Sequence, residues 1–252
     1  YFIIFYIWKS FNLVTKDGKA YALGVNRDKK NFSLLPEKDY KKEIEIHILD
    51  SSGHQCNIIS AVCGFFYTLY LVSKLDGTKH LVYNYEKRDK PLFVNINGSE
   101  PFSLFGGDYL SAAINEEGGI IFLGESLFDS PKTAVEPLFL PEKEKAVFVG
   151  FLCKLLIVLS ENGQVFMSDP EIKNFHEVEE LRYIKIINMS ATYAHCIAVS
   201  SEGRVFVSSK IDRHSCLGLG NIDIQNLRFF EVASLSKWKI TAVYAGKSHS
   251  LF

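Results

Sequence analysis

The stretch His195 to Gly203 reads HCIAVSSEG and contains the pattern from which the fold can be predicted. It is an apolar run that closes on an acidic residue and a glycine, and a second apolar run, Val205 to Val207, follows at once. Two such runs around an acidic-glycine turn are typical of a β-hairpin, because glycine adopts at little cost the positive φ angle that a tight turn needs. The stretch therefore predicts two antiparallel strands.

The same nine-residue box recurs along the chain. Four more copies end on a turn glycine, one of them with an extra residue: Ser10 to Gly18, Thr68 to Gly77, Leu110 to Gly118 and Leu155 to Gly163. A sixth copy opens at His249 and meets the end of the sequence. The turn glycines recur about every 40 to 60 residues, a period typical of blade or solenoid arrays. The chain is thus predicted to be an array of hairpins.

A second pattern recurs upstream of the boxes. Phe175 to Val178, followed by Leu181 to Ile186, is echoed by Phe229 to Val232 and Leu235 to Ile240. Each repeat then contains an upstream segment, a strand, the box strand and a return strand. Four short strands per repeat predict a β-propeller blade, with the upstream segment assigned to the box that follows it.

Three stretches resemble the repeats of the regulator of chromosome condensation family. They are Ala245 to Leu251 (AGKSHSL), Asp17 to Asn26 (DGKAYALGVN) and Cys216 to Gly220 (CLGLG). The resemblance implies an all-β fold, a single β-propeller domain over residues 1–252 with six or seven four-stranded blades. It also implies structural repeat positions at Gly18, Gly24, Gly77, Gly118, Gly163, Gly203, Gly218, Gly220, Gly246, His195 and His249.

The two ends of the chain bear on closure of the propeller. The apolar run Phe2 to Trp8 is far shorter than the ~20 residues of a membrane span, so it is expected to be the first strand of a blade. The sixth box stops before its turn glycine. Either the N-terminal strand completes that last blade, or the chain is a portion of a longer propeller.

Composition limits the classes of binding partner and the cellular compartments that are expected for this chain. Apolar residues make up 47% of the chain, and 28 basic residues against 29 acidic ones give a net charge of −1. No global field attracts nucleic acid or a membrane, so a monomer that binds neither is expected. The five cysteines include no C-x-x-C pair and at least one is free, which favours an intracellular location, in cytoplasm or nucleus.

The sequence contains no constellation typical of catalysis. His195 and His249 occupy one repeat position, so a structural role is expected rather than a catalytic or metal-binding one, and no cofactor is expected. Function in repeat arrays resides mainly on loops of one face. The charged loops therefore supply the predicted partner-binding residues Arg27, Lys29, Lys87, Arg88, Lys210, Arg213 and His214.

These observations favour a non-enzymatic scaffold for protein–protein interaction. The resemblance implies a second function, guanine-nucleotide exchange on a Ran-type small GTPase, in which the protein partner is that GTPase. A third, implied by the compact bacterial relatives, is inhibition of an enzyme by propeller loops. The sequence leaves these three functions open.

Overall fold

A computed structural model describes residues 3–7, 10–25, 39–64, 67–85, 91–94, 96–123, 135–153, 155–168, 174–209, 217–220, 227–246 and 249–252. The chain divides into two compact units, Tyr1–Pro137 and Leu138–Phe252. The single domain over 1–252 stays a prediction. Within the described ranges, no helix is long and apolar enough to cross a membrane.

Unit 1 contains three antiparallel sheets, each with its strands in chain order. The first contains β1 (Ile3–Ile7), β2 (Ser10–Val14), β3 (Ala20–Val25) and β4 (Asp39–Ile46). The second contains β5 (Asn57–Cys63), β6 (Tyr67–Ser73), β7 (Lys79–Tyr85) and β8 (Leu92–Phe93). In its described part, the third contains β9 (Pro101–Gly106), β10 (Ser111–Asn115) and β11 (Ile120–Leu123).

Unit 2 repeats the arrangement. Its first sheet contains β12 (Ala146–Leu152), β13 (Leu155–Ser160), β14 (Val165–Ser168) and β15 (His176–Glu177). The next contains β16 (Ile186–Ala191), β17 (His195–Ser200), β18 (Val205–Ser209) and β19 (Phe230–Glu231). The last pairs β20 (Tyr244–Ala245) with β21 (Ser250–Leu251), and short 3₁₀ turns occupy Pro141–Lys143, Glu179–Leu181 and Ala233–Leu235.

The predicted hairpins are confirmed, and the box strands are the most deeply buried. In β6, Tyr70 and Val72 join a cluster with the first sheet, whereas Leu69 and Leu71 join a cluster with the third. Successive side chains of a strand point to opposite faces, so burial on both faces explains the unbroken apolar runs of the boxes. Full burial contributes about 1.5–3 kcal/mol for each large aliphatic side chain.

The boundary of the repeat differs from the prediction. The upstream segments pair with the return strand of the preceding hairpin: His176 lies opposite Met167, and Phe230 lies opposite Val207. They are therefore the fourth strands of the sheets before them. Strands that follow one another in the chain usually lie side by side in a sheet, and the sequence pattern could not distinguish which hairpin such a segment would meet.

The N-terminal strand does not complete the last sheet. Strand β1 pairs with β2, with Ile3 opposite Val14 and Ile7 opposite Ser10. It thus belongs to the first sheet, in agreement with the expectation that it is the first strand of a blade. The alternative in which this strand closes the sixth repeat is wrong, because a short loop joins it to its hairpin partner.

Candidate interaction surface

All five box turns share one backbone conformation. The turn glycines Gly18, Gly77, Gly118, Gly163 and Gly203 have φ angles of 80°, 84°, 81°, 89° and 84°. In each turn the glycine N–H donates to the carbonyl three residues earlier, for instance Gly163 to Ser160 at 3.0 Å. A hydroxyl or amide at that earlier position often adds a bond, as Ser160 does to Gln164 N–H at 3.2 Å. Such a turn presents its two middle residues to solvent.

Three of the turn glycines also contact the next repeat closely. The carbonyl oxygens of Gly18 and Gly163 accept hydrogen bonds from Ile58 N–H and Ile186 N–H, at 2.8 and 2.9 Å. A Cβ built on Gly163 would lie 2.8 Å from the Ile186 carbonyl oxygen, and one on Gly203 would lie 3.0 Å from Lys239 Cα. The glycine therefore serves both the turn and the junction between neighbouring hairpins.

A β-bulge follows this junction in the first strand of four repeats. The cross-strand register shifts at one residue, which is left without a partner, and each of these residues is apolar: Ile59, Phe102, Val147 and Ile187. Their side chains are 42%, 62%, 48% and 48% exposed, respectively, in strands whose other apolar residues are mostly buried. Bulges re-aim a side chain, and here they direct an apolar one to solvent.

The bulged residues lie beside the hairpin turns. In unit 1, a depression of about 440 Å³ lies between the first turn and the start of β5. It is lined by Val14, Thr15, Lys16, Asp17, Gly18, Asn57, Ile58 and Ile59. A hydrogen bond from the Thr15 side chain lowers the pKa of Asp17, so this turn carries a carboxylate at neutral pH. We define the bulge surface of each unit as its two bulged residues with the turns beside them: Ile59 and Phe102 in unit 1, and Val147 and Ile187 in unit 2.

The strand start of two boxes forms a contact with the next repeat. Tyr67 is buried, and its hydroxyl donates to the carbonyl oxygens of Gly107 and Leu110, at 2.8 and 2.6 Å. His195 is also buried, and its ring nitrogens lie 3.4 Å from Thr192 Oγ1 and 3.3 Å from Ser250 Oγ. The histidine thus contacts both its own sheet and the following hairpin, which fits a structural role.

In two repeats a glycine lies against the aromatic ring at the start of the box strand. A Cβ built on Gly246 would lie 2.3 Å from His249 Nε2, and one built on Gly64 would lie 2.1 Å from Tyr67 Cε1. In both pairs the glycine N–H donates to the carbonyl of the aromatic residue three positions later, at 2.9 and 3.0 Å. Tyr67 therefore occupies the histidine position, which the sequence pattern missed although Gly64-Phe65-Phe66-Tyr67 has the same spacing.

The other predicted positions are partly described. Gly218 and Gly220 have φ angles of 68° and 71°, and Gly24 lies in β3 opposite Tyr40. The predicted partner-binding residues lie outside the described residues: Arg27, Lys29, Lys87, Arg88, Lys210, Arg213 and His214. Among residues that the structure does describe, no group of three or more His, Cys, Asp or Glu is placed to hold a metal ion.

The sequence contained an unused signal for the bulges. An apolar pair begins or interrupts an alternating strand at Ile58-Ile59, Pro101-Phe102, Ala146-Val147 and Ile186-Ile187. In a regular strand, adjacent residues point to opposite faces, so both members of such a pair are buried only if both faces are covered. A bulge instead leaves the second member of each pair at the surface.

The sheets, hairpins and junctions together define the fold of an RCC1-like β-propeller, and the expected family resemblance is confirmed at the level of fold. Human WBSCR16 has a similar structure, with a TM-score of 0.69 at 16% identity over 96% of this chain and 69% of that chain. No protein-family model matches the sequence. No curated protein matches it either.

Two structures of yeast RCC1 are similar as well. Prp20p from Saccharomyces cerevisiae, described with its binding to Gsp1p and histones, has a TM-score of 0.70 at 13% identity, over 96% of this chain and 65% of that one. The complex of Kap60 with yeast RCC1 (Prp20) gives 0.70 at 14% identity, over 96% and 63%. The chain thus spans about two thirds of the length of these structures.

Proposed function

We propose that this protein is a non-enzymatic scaffold that binds a partner protein through the bulge surfaces of its two units, inside the cell in cytoplasm or nucleus. One observation carries the proposal: four repeats expose an apolar side chain at the same bulged position. Isolated exposed apolar residues are ordinary, but the same exposure built into successive repeats by the same backbone irregularity is typical of a recognition surface.

The strands and turns around the bulges form a rigid surface, which favours binding without rearrangement of the backbone. The bulges lie in strands whose neighbours are buried, and the turns beside them are held by backbone hydrogen bonds and glycine junctions. A rigid surface loses little conformational entropy when it binds, which favours affinity. The similarity to yeast RCC1 structures, one of them in complex with Kap60, adds that this fold serves protein recognition elsewhere.

The test compares partner capture by two variants. Replacement of Ile59, Phe102, Val147 and Ile187 by serine should abolish capture of the partners that the wild-type chain retains in cells. A control with Leu49→Ser and Phe139→Ser, which are exposed apolar residues outside the bulges and the turns beside them, should retain them. Equal capture by both variants, each with wild-type thermal unfolding, would contradict the proposal. Cell fractionation of the tagged protein tests the compartment.

The second candidate is guanine-nucleotide exchange on a Ran-type small GTPase. The observation that favours it is the similarity to Prp20p, whose structure is described with its binding to Gsp1p. Exchange factors act by displacing the loops that hold nucleotide, so the activity needs a shaped surface and no catalytic triad. The test is release of fluorescent GDP from a Ran-type GTPase. A scaffold leaves the rate unchanged, whereas acceleration by substoichiometric protein would establish exchange.

A further inference from the structure

The segment before strand β16 exposes every second side chain. Tyr183, Lys185 and Ile187 point to solvent, with Tyr183 97% exposed, whereas Ile184 and Ile186 pack into the core between them. Tyr183 is also one of the few residues other than glycine with a positive φ, 69°. An aromatic residue held fully exposed in a disfavoured backbone conformation is a feature that accompanies functional sites.

The repeats on either side in unit 2 also expose the three corresponding side chains. Lys145 corresponds to Lys185 because the carbonyl oxygen of each accepts a hydrogen bond from the hairpin turn of its own sheet, and Lys239 corresponds to Lys185 because each lies against the turn glycine of the preceding hairpin. The exposed positions are therefore Lys143, Lys145 and Val147 before, and Lys237, Lys239 and Thr241 after. Across the three repeats these outward positions hold five lysines and no carboxylate. We call this set the lysine row.

The lysines of the row differ from the arginines around them. Arg182, Arg204 and Arg228 each form an ion pair with a glutamate, at 2.9, 2.5 and 2.6 Å. By contrast, none of the row's lysines forms an ion pair with a carboxylate in the described parts of unit 2. The arginines are committed to contacts within the fold, and the lysines remain available to a ligand.

Two of these lysines are positioned by the turn glycines. A Cβ built on Gly163 would lie 2.8 Å from Lys185 Cγ, and one on Gly203 would lie 2.9 Å from Lys239 Cγ. The aliphatic stems therefore lie against the turns of the preceding hairpins. A side chain held in this way loses less rotamer entropy when its ammonium group binds an anion.

From this arrangement we infer that the lysine row binds an acidic segment of a partner protein, one in which carboxylates are interspersed with apolar side chains. The inference rests on the proposed scaffold function and names the chemistry of its partner. Carboxylates would meet Lys145, Lys185 and Lys239, and apolar side chains would contact Val147 and Ile187. Tyr183 belongs to the row and exposed Trp238 lies next to it in the chain, and such aromatic residues contribute much of the binding energy at protein interfaces.

A peptide fits this surface better than a nucleic acid. Glutamates stand beside the row: Glu142, Glu144, Glu161, Glu179 and Glu202. Glu144 accepts from Asn162 and Glu202 lies 3.9 Å from Arg204, so two of the five are already engaged. A continuous phosphate backbone would meet all of these carboxylates, whereas a peptide can place its own carboxylates between them.

The experiment selects random peptides displayed on phage against the whole wild-type chain. The selected sequences should be rich in Asp and Glu with interspersed apolar residues. Binding of the synthesised peptides should weaken about tenfold or more in the Lys145→Gln/Lys185→Gln/Lys239→Gln variant, because each removed charge acts at the contact itself. The matched control, Arg182→Gln/Arg204→Gln/Arg228→Gln, removes the same charge from unit 2 and should change binding less than about twofold, because these arginines are already paired with glutamates.

Several results would overturn the inference. The selection could recover no binding peptide, or peptides that are not enriched in acidic residues. The peptides could lose equal affinity in both triple variants. Single-stranded DNA could bind at the same lysines more tightly than the peptides do. Failure of this experiment leaves the scaffold function standing if the serine variant of the bulge surfaces still loses its cellular partner. If both the peptides and the cellular partner are unaffected, both proposals fail.

Discussion

Gly150 of β12 and Ala191 of β16 lie so close that a Cβ on Gly150 would be 2.6 Å from the Ala191 Cβ. The first strands of two successive sheets therefore approach each other at this point with only one methyl group between them. In unit 1, Gly106 and Val62 form a similar contact, with a Cβ on Gly106 3.0 Å from Val62 Cβ. The small residue in each pair lets the two strands converge.

This contact predicts a compensating pair of substitutions. Gly150→Ala should lower the free energy of unfolding by about 1–3 kcal/mol, because the added methyl overpacks the junction. Adding Ala191→Gly should restore most of that loss, although glycine in a strand itself costs about 0.5–1 kcal/mol. Urea unfolding of the two single variants and the double variant measures the coupling. Purely additive effects would mean that the two residues do not meet.

The turn glycines predict a second contrast. Gly77→Ala should cost about 1–2 kcal/mol, since its φ of 84° is disfavoured for alanine but no atom lies within 4 Å of the new methyl. Gly163→Ala should cost roughly 1–3 kcal/mol more, because its methyl would also meet the Ile186 carbonyl oxygen at 2.8 Å. Thermal and urea unfolding compare the two. Similar losses would show that the junction tolerates displacement.

The Tyr67 hydroxyl predicts the contribution of a contact between repeats. Tyr67→Phe should destabilise the protein by about 1–2 kcal/mol, because two carbonyl oxygens, of Gly107 and Leu110, lose their shared donor. Tyr183→Phe is the control, since that side chain is 97% exposed, and it should be neutral in the same unfolding measurement. A neutral Tyr67→Phe would indicate that water replaces the hydroxyl.

The ion pair of Arg204 and Glu231 predicts a pH dependence. Hydrogen bonds from the Arg204 side chain lower the pKa of Glu231 below its usual 4.5. A lowered folded-state pKa stabilises the fold above the unfolded pKa, and that contribution is lost as the pH falls through the folded value. Wild type should therefore be more stable than Glu231→Gln at neutral pH, and this difference should vanish in acid. We expect a difference of at most about 1 kcal/mol, because both side chains are partly exposed.

A control separates this pair from general charge effects. Lys239→Gln removes a lysine that forms no ion pair with a described carboxylate, so its difference from wild type should change little over the same acidic range. Unfolding curves of wild type, Glu231→Gln and Lys239→Gln at several pH values test this prediction. A difference for Glu231→Gln that does not change with pH would contradict the predicted linkage.

Local sequence signals were sufficient to predict the hairpins. The apolar run and acidic-glycine turn of each box are local signals, because φ at Gly163 or Gly203 and the alternation of side chains depend on a few adjacent residues. Repetition of that unit was sufficient to predict an all-β array of blades. The resemblance of Gly246 and His249 to a known repeat was likewise local, and the glycine does lie against the histidine ring.

Contacts between segments distant in the chain set which hairpin each short segment joins and which apolar residues reach the surface. His176–Glu177 joined the sheet before it rather than the one after, because pairing depends on the strand edge that it meets in space. Residues 186 and 187 are both isoleucine, yet the bulge leaves Ile186 buried and exposes Ile187. Pairing and register arise between segments distant in the chain, and a local pattern does not encode them.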